Sequence, residues 1–207
     1  GGQDSKIIII RDGIPVDFAM NTVCAAGTGS FLDHQAARLH IPIEEFGTRA
    51  LRAKNQVAIA GRCTVFAESD MIHKAQLGVP TDDIIAGLCD AIVRNYLNAV
   101  AKGKEIRPRV LFQGGVAANV GVRAAFERAL KVEITVPEHF LVMGAIGASE
   151  MIDGKESKFT GFEIAEVPFE TRVFECDGCP NRCEIVETLR EKKIIDRYGD
   201  RCGKWSG

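Results

Sequence analysis

The sequence predicts an α/β domain followed by a small cysteine-rich ribbon. Three observations lead to it. Strand, turn and helix patterns alternate through residues 1–152, glycine turns stand where β-branched runs give way to helical spacing, and four cysteines crowd into residues 176–202 after the composition shifts near Asp153. The expected organisation is therefore a domain over 1–152, a linker with short strands over 153–175, and a cysteine-rich metal-binding module over 176–207.

Each element follows from its own residues. Lys6-Ile-Ile-Ile-Ile10 is a β-branched run that reads as a buried strand. Arg11-Asp12-Gly13 is a turn, and Pro15–Ala19 a second strand. Phe31, Leu32, Ala36 and Leu39 recur at helical spacing until Pro42, and a shorter helix follows near Ile43–Ala53. Val65, Phe66 and Ile72 indicate a helix behind Cys63 that ends near Gly78. Pro80-Thr81-Asp82-Asp83 reads as the cap of a long helix with Ile84, Ile85, Leu88, Ile92, Val93, Tyr96, Leu97 and Val100 on one face. Cys89 falls on that apolar face and reads as core. Arg109–Gln113 and Val132–Val136 are strands, each followed by a helix, near 117–130 and over Phe140–Met151. In the tail, Arg182–Glu187 and Lys193–Tyr198 pair as a ribbon that returns Cys202 toward the other cysteines.

Composition narrows the function. With 207 residues, a net charge of −2, 46% hydrophobic and 26% charged residues, the chain reads as an ordinary globular protein. The charge argues against a nucleic-acid surface. No apolar run reaches the roughly 18 residues a membrane span needs, and no secretory pattern opens the chain, so no membrane partner is expected. Seven cysteines in that setting fit a reducing cytoplasm, where thiols bind metals or do redox work. The chain opens on Gly1-Gly2 without an initiator Met, and is expected to be a piece of a longer protein.

Cys24 and Cys63 each open a short turn that runs into a helix: Cys24-Ala-Ala-Gly27-Thr28-Gly29 and Cys63-Thr64-Val-Phe-Ala-Glu68-Ser69. A thiolate there meets the positive end of the helix dipole and unpaired N–H groups. Two cysteines are too few for a four-thiolate site, but a symmetric dimer supplies four, which points to a metal or iron–sulfur cluster shared across a two-fold axis. The plainer alternative is a pair of buried free thiols. Gly27–Gly29 also reads as an anion-binding helix start. In Gly1-Gly2-Gln3-Asp4-Ser5-Lys6, glycines let phosphate oxygens approach the backbone, Lys6 meets negative charge, and Asp4 can hold Mg²⁺ through water. A plain hairpin turn is the alternative. Gly114-Gly115-Val-Ala-Ala-Asn119 sits at a strand's carboxyl end, where ligands bind, although a glycine pair there also serves packing alone. Small residues in Met143-Gly-Ala-Ile-Gly-Ala148 suggest close helix packing. Glu68 and the face of Asp33, Arg38, Glu44 and Glu45 read as solvated surface. His34, His40, His73 and His139 show no ligand spacing.

Taken in order, these five motifs resemble the ATP-dependent activators of 2-hydroxyacyl-CoA dehydratases and of benzoyl-CoA reductase, over roughly residues 1–152. The resemblance implies the C-terminal lobe of an actin-like (ribonuclease H-like) ATPase domain. It implies ATP or ADP with Mg²⁺ on Gly1, Gly2, Gln3, Asp4 and Lys6, with adenosine at Gly114, Gly115 and Asn119; Gly27, Thr28 and Gly29, read as an anion-binding helix start, would touch phosphate as well. It further implies a [4Fe–4S] cluster held by Cys24 and Cys63 across a homodimer, and electron transfer to an iron–sulfur dehydratase or reductase component. ATP hydrolysis would require the missing N-terminal lobe, and no residue is identified as the hydrolytic base.

The tail is a separate constellation, Cys176-x₂-Cys179-x₃-Cys183-x₁₈-Cys202. Its spacing fits tetrahedral zinc or a second iron–sulfur cluster, with zinc preferred. Two other functions stay open: a non-catalytic binding module built on a zinc ribbon, and a sugar or acyl kinase of the same superfold, which would want an acidic base beside the Cys24 turn.

Overall fold

Asp12 and Gly13 close the first hairpin, and both take left-handed φ, 51° and 80°. That pair of angles reverses the chain in two residues while matching strand twist. It joins strand β1 (Lys6–Arg11) to β2 (Ile14–Met20), paired antiparallel from Lys6 with Met20 to Arg11 with Ile14. The computed structural model describes residues 2–21, 25–152, 159 and 161–206. The chain divides into two compact units, Gly1–Ile152 and Asp153–Gly207.

The expectation that Lys6–Ile10 is a buried strand is corrected in part. It is a strand, but exposure alternates along it, and Ile8 and Ile10 remain 52% and 54% exposed. Phe18 and Val16 on β2 are exposed as well, because β1 pairs with β2 in a two-stranded sheet whose face is left open among the described residues.

The core of the first unit is helical. Helix α1 (Gly29–Arg38), α2 (Ile43–Ala50) and α3 (Thr64–Gln76) precede α4 (Thr81–Ala99), whose Ile84, Ile85, Leu88, Cys89, Ile92 and Val93 are buried. Phe31, Phe46 and Met71 bring α1, α2 and α3 into the same cluster. Strand β3 (Val110–Leu111) leads to α5 (Val120–Leu130), whose Val122 and Phe126 close the cluster. Strand β4 (Ile134–Thr135) then pairs parallel with β3. Each fully buried side chain of this size stabilises the fold by about 1.5–3 kcal/mol. Gly121 permits the close crossing of α2 and α5, since a Cβ there would stand 2.6 Å from the Ala50 Cβ.

Two local expectations change. The Thr81–Asp83 stretch does not cap α4. Pro80 stands at the cap position, Asp82 pairs with Arg49 at 2.8 Å, and Asp83 is drawn to a neighbouring segment. Helix α6 (Met143–Glu150) does not pack closely through its small residues, because none of it is buried and a Cβ on Gly144 or Gly147 would meet nothing within 4 Å.

In the second unit, β5 (Glu170–Glu175), β6 (Glu184–Arg190) and β7 (Lys193–Tyr198) form an antiparallel sheet in that order. Glu191 and Lys192, at φ 50° and 63°, make the two-residue turn between β6 and β7. Ile185 and Leu189, four apart on β6 and so on one face, are fully buried.

Candidate functional site

The turn at the start of the chain is docked on the start of α1. The Gly2 carbonyl accepts the Ser30 N–H at 2.7 Å and the Ser30 hydroxyl at 2.6 Å. Beside it, the buried Ser5 donates its hydroxyl to the Gly27 carbonyl at 2.5 Å. The Ser5 N–H goes to Asn21 Oδ1 at 2.5 Å, and its carbonyl accepts the Asn21 N–H at 3.0 Å. Gly2, Gln3 and Asp4 are therefore presented to solvent over the buried Gly27, Thr28 and Gly29. Lys6 Nζ stands 3.9 Å from Asp4, and both side chains are exposed. A glycine turn, a lysine and a helix N-terminus together favour an anion. These two predicted groups are brought together; Gly1 and Cys24 lie outside the described residues.

Cys63 stands at the N-cap of α3, half-buried, with φ −138° and ψ 135°, and its carbonyl accepts the Ala67 N–H at 3.0 Å. The approach to it, residues 54–62, has no regular structure and is fixed by side chains of the helices beside it. Asp83 Oδ1 accepts the Lys54 and Asn55 N–H groups at 2.7 and 3.2 Å, and Oδ2 accepts Asn55 Nδ2 at 2.8 Å. The Asn55 amide first, then the Lys54 N–H, hold the Asp83 carboxyl below the usual range against the opposing effect of burial. Asp70 accepts the Ala60 N–H at 2.9 Å, and Arg94 donates to the Ile59 carbonyl at 2.5 Å. Asn95 donates to the Gly61 carbonyl at 2.7 Å.

The same Asn95 touches the other cysteine turn, where its Oδ1 would lie 2.7 Å from a Cβ on Gly27. One amide thus lies between the turn that follows Cys24 and the turn that precedes Cys63. Beside it opens a cleft of about 560 Å³ lined by Arg62, Arg94, Asn98 and Lys102. A cleft of about 750 Å³ between α1 and α3 contains none of the predicted ligand residues. At its edge Glu68 pairs with Arg38 at 2.8 Å, so this carboxylate is tied to a neighbour rather than simply solvated.

The third predicted group is built on the connection after β3. Gly114 has φ 89°, open to glycine but strained for other residues, and its N–H bonds the Phe140 carbonyl at 2.7 Å. Asn119 Oδ1 caps α5 by accepting the Val122 N–H at 3.0 Å. Its Nδ2 is buried without a hydrogen-bond partner.

Cys89 is core, as expected, and burial pushes its thiol up to about 12. In the second unit Cys176 is buried, Cys183 half-buried, and Cys179 and Cys202 exposed. Hydrogen bonds from Trp205 and then from the Gly178 N–H lower the Cys176 thiol. Among the described residues no three His, Cys, Asp or Glu side chains are gathered to hold a metal ion.

Sequence reasoning missed Ser5, Asp83 and Asn95. Ser5 sits inside a motif already singled out, whereas Asp83 and Asn95 act on backbone about 30 positions away and carry no local signal.

Residues 1–151 match the BadF/BadG/BcrA/BcrD ATPase family. The chain is 40% identical over 149 residues to the (R)-2-hydroxyglutaryl-CoA dehydratase activating ATPase of Acidaminococcus fermentans, covering 72% of this chain and 57% of that protein. The crystal structure of component A of that dehydratase superposes with a TM-score of 0.67 at 38% identity, covering 71% of this chain and 56% of the other. The activator of the 2-hydroxyisocaproyl-CoA dehydratase from Clostridium difficile, with bound ADPNP, superposes at 0.66 and 31% identity, covering 75% and 62%. The chain thus spans little more than half the length of these relatives. From its first residue to the end of α6, this chain belongs to the BadF/BadG/BcrA/BcrD ATPase family.

Proposed function

We propose that this chain is the C-terminal lobe of an actin-like ATPase that activates an iron–sulfur dehydratase or reductase acting on a CoA thioester. The observation that carries the reading is the junction of Gly2 with Ser30 and of Ser5 with Gly27. It ties the phosphate turn to the helix start that follows Cys24, so a change at one reaches the other through three hydrogen bonds of 2.5 to 2.7 Å.

The residues present fit the groups this reading needs. Gly1, Gly2, Gln3 and Lys6 would receive nucleotide phosphates, Asp4 would hold Mg²⁺ through water, and Gly27–Gly29 would offer backbone N–H groups. The turn at Gly114, Gly115 and Asn119 would bound the adenosine, with the unpartnered Asn119 Nδ2 as a donor beside it. Cys24 and Cys63 would hold one [4Fe–4S] cluster between two copies of the chain, and the bound cluster would supply the electron passed to the partner. Val65 and Phe66, each 68% exposed in the turn after Cys63, offer apolar surface for the second copy. Nucleotide would drive transfer only if its two states differed in their contacts with the phosphate turn, which is bonded to the helix start that follows Cys24.

Iron and sulfide content after anaerobic purification tests this reading. A cluster shared by two copies gives about two irons per chain, lost in Cys24→Ala and in Cys63→Ala. A chain that dimerises under reducing conditions yet holds no iron and sulfide would overturn it.

A further inference from the structure

The four cysteines of the second unit are not used by that reading, yet strand register brings them to one end of one sheet. Glu175 on β5 pairs with Glu184 on β6, and the Cys176 N–H bonds the Cys183 carbonyl at 2.8 Å, which extends the ladder by one step. Cys176 and Cys183 therefore face each other at the mouth of the connecting loop. That loop folds back on itself where the Arg182 N–H bonds the Cys179 carbonyl at 3.2 Å, so Cys179 stays over the same end.

Strand β7 delivers the fourth thiol. It runs antiparallel to β6 and pairs Tyr198 with Val186, so it too finishes at this end. Gly199 lies against the Glu184 backbone so closely that it leaves no room for a Cβ. Six residues later, Trp205 Nε1 donates to Cys176 Sγ at 3.3 Å. The segment from 199 to 205 thus crosses the sheet end between two anchors, and Cys202 lies between them. Asp200 folds this crossing by accepting the Trp205 N–H at 3.0 Å and the Ser206 hydroxyl at 2.5 Å.

We infer that Cys176, Cys179, Cys183 and Cys202 are the ligands of one tetrahedral zinc ion at the end of the β5–β6–β7 sheet. Four thiolates are a donor set that selects zinc over harder divalent cations. Cys176 Sγ already accepts two N–H groups, from Gly178 at 3.4 Å and from Trp205, the outer-shell arrangement that orients a ligand sulfur. Zinc with four thiolates carries a net charge of about −2, and Lys204, 5.3 Å over the Trp205 ring, brings positive charge to the same end, whereas Arg197 over that ring is already paired with Glu187 at 2.8 Å. The side chains are not gathered in the structure. Closing the site requires the exposed Cys179 and Cys202 and the half-buried Cys183 to turn toward Cys176, with Cys202 Sγ leaving Asp200 Oδ2, from which it stands 3.9 Å. Binding also releases the thiol protons to solvent and orders the two loops.

The test uses the whole chain with Cys24→Ser and Cys63→Ser in place, so that the first unit contributes no metal and the outcome is separate from that of the shared cluster. The expected result is about one zinc per chain under reducing conditions. Zinc returned to the chelator-stripped chain should shift the emission of Trp205, the one tryptophan present, and saturate at about one equivalent. Cys179→Ser and Cys202→Ser, both at exposed positions, should each weaken binding by about tenfold or more. No stoichiometric zinc in the parent, unchanged binding in both variants, or iron with sulfide at these thiols would each overturn the assignment.

Discussion

The Asn95 side-chain amide donates to the Gly61 carbonyl at 2.7 Å, while its oxygen fills the space in front of Gly27. Helix α4 therefore sets the spacing between Gly27, in the turn that follows Cys24, and Gly61, in the turn that precedes Cys63. Asn95→Ala should remove one bond worth about 1 kcal/mol and free both turns. Gly27→Ala should clash with the same oxygen and destabilise more. The two changes should not add, because removing the amide also removes the clash. Thermal unfolding of both single variants and the double variant checks this, and strict additivity would contradict it.

The core prediction rests on α4. Leu88 is completely buried, and Leu88→Ala should cost about 2–5 kcal/mol, read as a lower denaturant midpoint with little change in slope. A loss below the bottom of that range would mean that the helices around α4 close over the vacated space.

Asp83 gives a pH signature. Its carboxyl is held below the ordinary value of 3.8 by the Asn55 amide and the Lys54 N–H. A depressed folded value stabilises above the unfolded pKa, and that contribution is lost as pH falls through the folded one. Asp83→Asn should therefore melt well below wild type near neutral pH, with the gap narrowing as the solution is acidified below about 4. A gap that stays constant as the pH is lowered well below about 4 would show that Asp83 acts by shape alone.

Thiol chemistry separates core from surface. Cys89 is buried with its thiol pushed up to about 12, while Cys179 and Cys202 are exposed. Alkylation of the native, metal-free chain at mildly alkaline pH should mark Cys179 and Cys202 and spare Cys89 until the protein unfolds. Peptide mass analysis reads the outcome directly, and early labelling of Cys89 would contradict the packing of α4.

What was legible in the sequence was local. Arg11-Asp12-Gly13 announced a turn, and the structure narrows it to Asp12 and Gly13, both at left-handed φ, with Arg11 kept in β1. The apolar stripe of α4 gave the core because helical period alone decides which side chains share a face. The four isoleucines of β1 suggested burial, but burial belongs to what covers a strand, and β1 and β2 form a sheet of two. Strands expected over 109–113 and 132–136 shorten to two residues each, since pairing length depends on a neighbour the segment does not encode. At the site, glycines and cysteines stood out by type. Ser5, Asp83 and Asn95 did not, because a side chain that bonds distant backbone looks like any polar surface residue.

The most direct measurement follows nucleotide from the phosphate turn to the cysteines. Iron is stripped by a chelator from the anaerobically purified protein in the presence of MgADP or of a non-hydrolysable MgATP analogue, for wild type and for Ser5→Ala, which lacks the hydroxyl bonded to Gly27. Coupling through that bond predicts different rates with the two nucleotides in wild type and a smaller difference in Ser5→Ala. Equal rates with both nucleotides in wild type would contradict it.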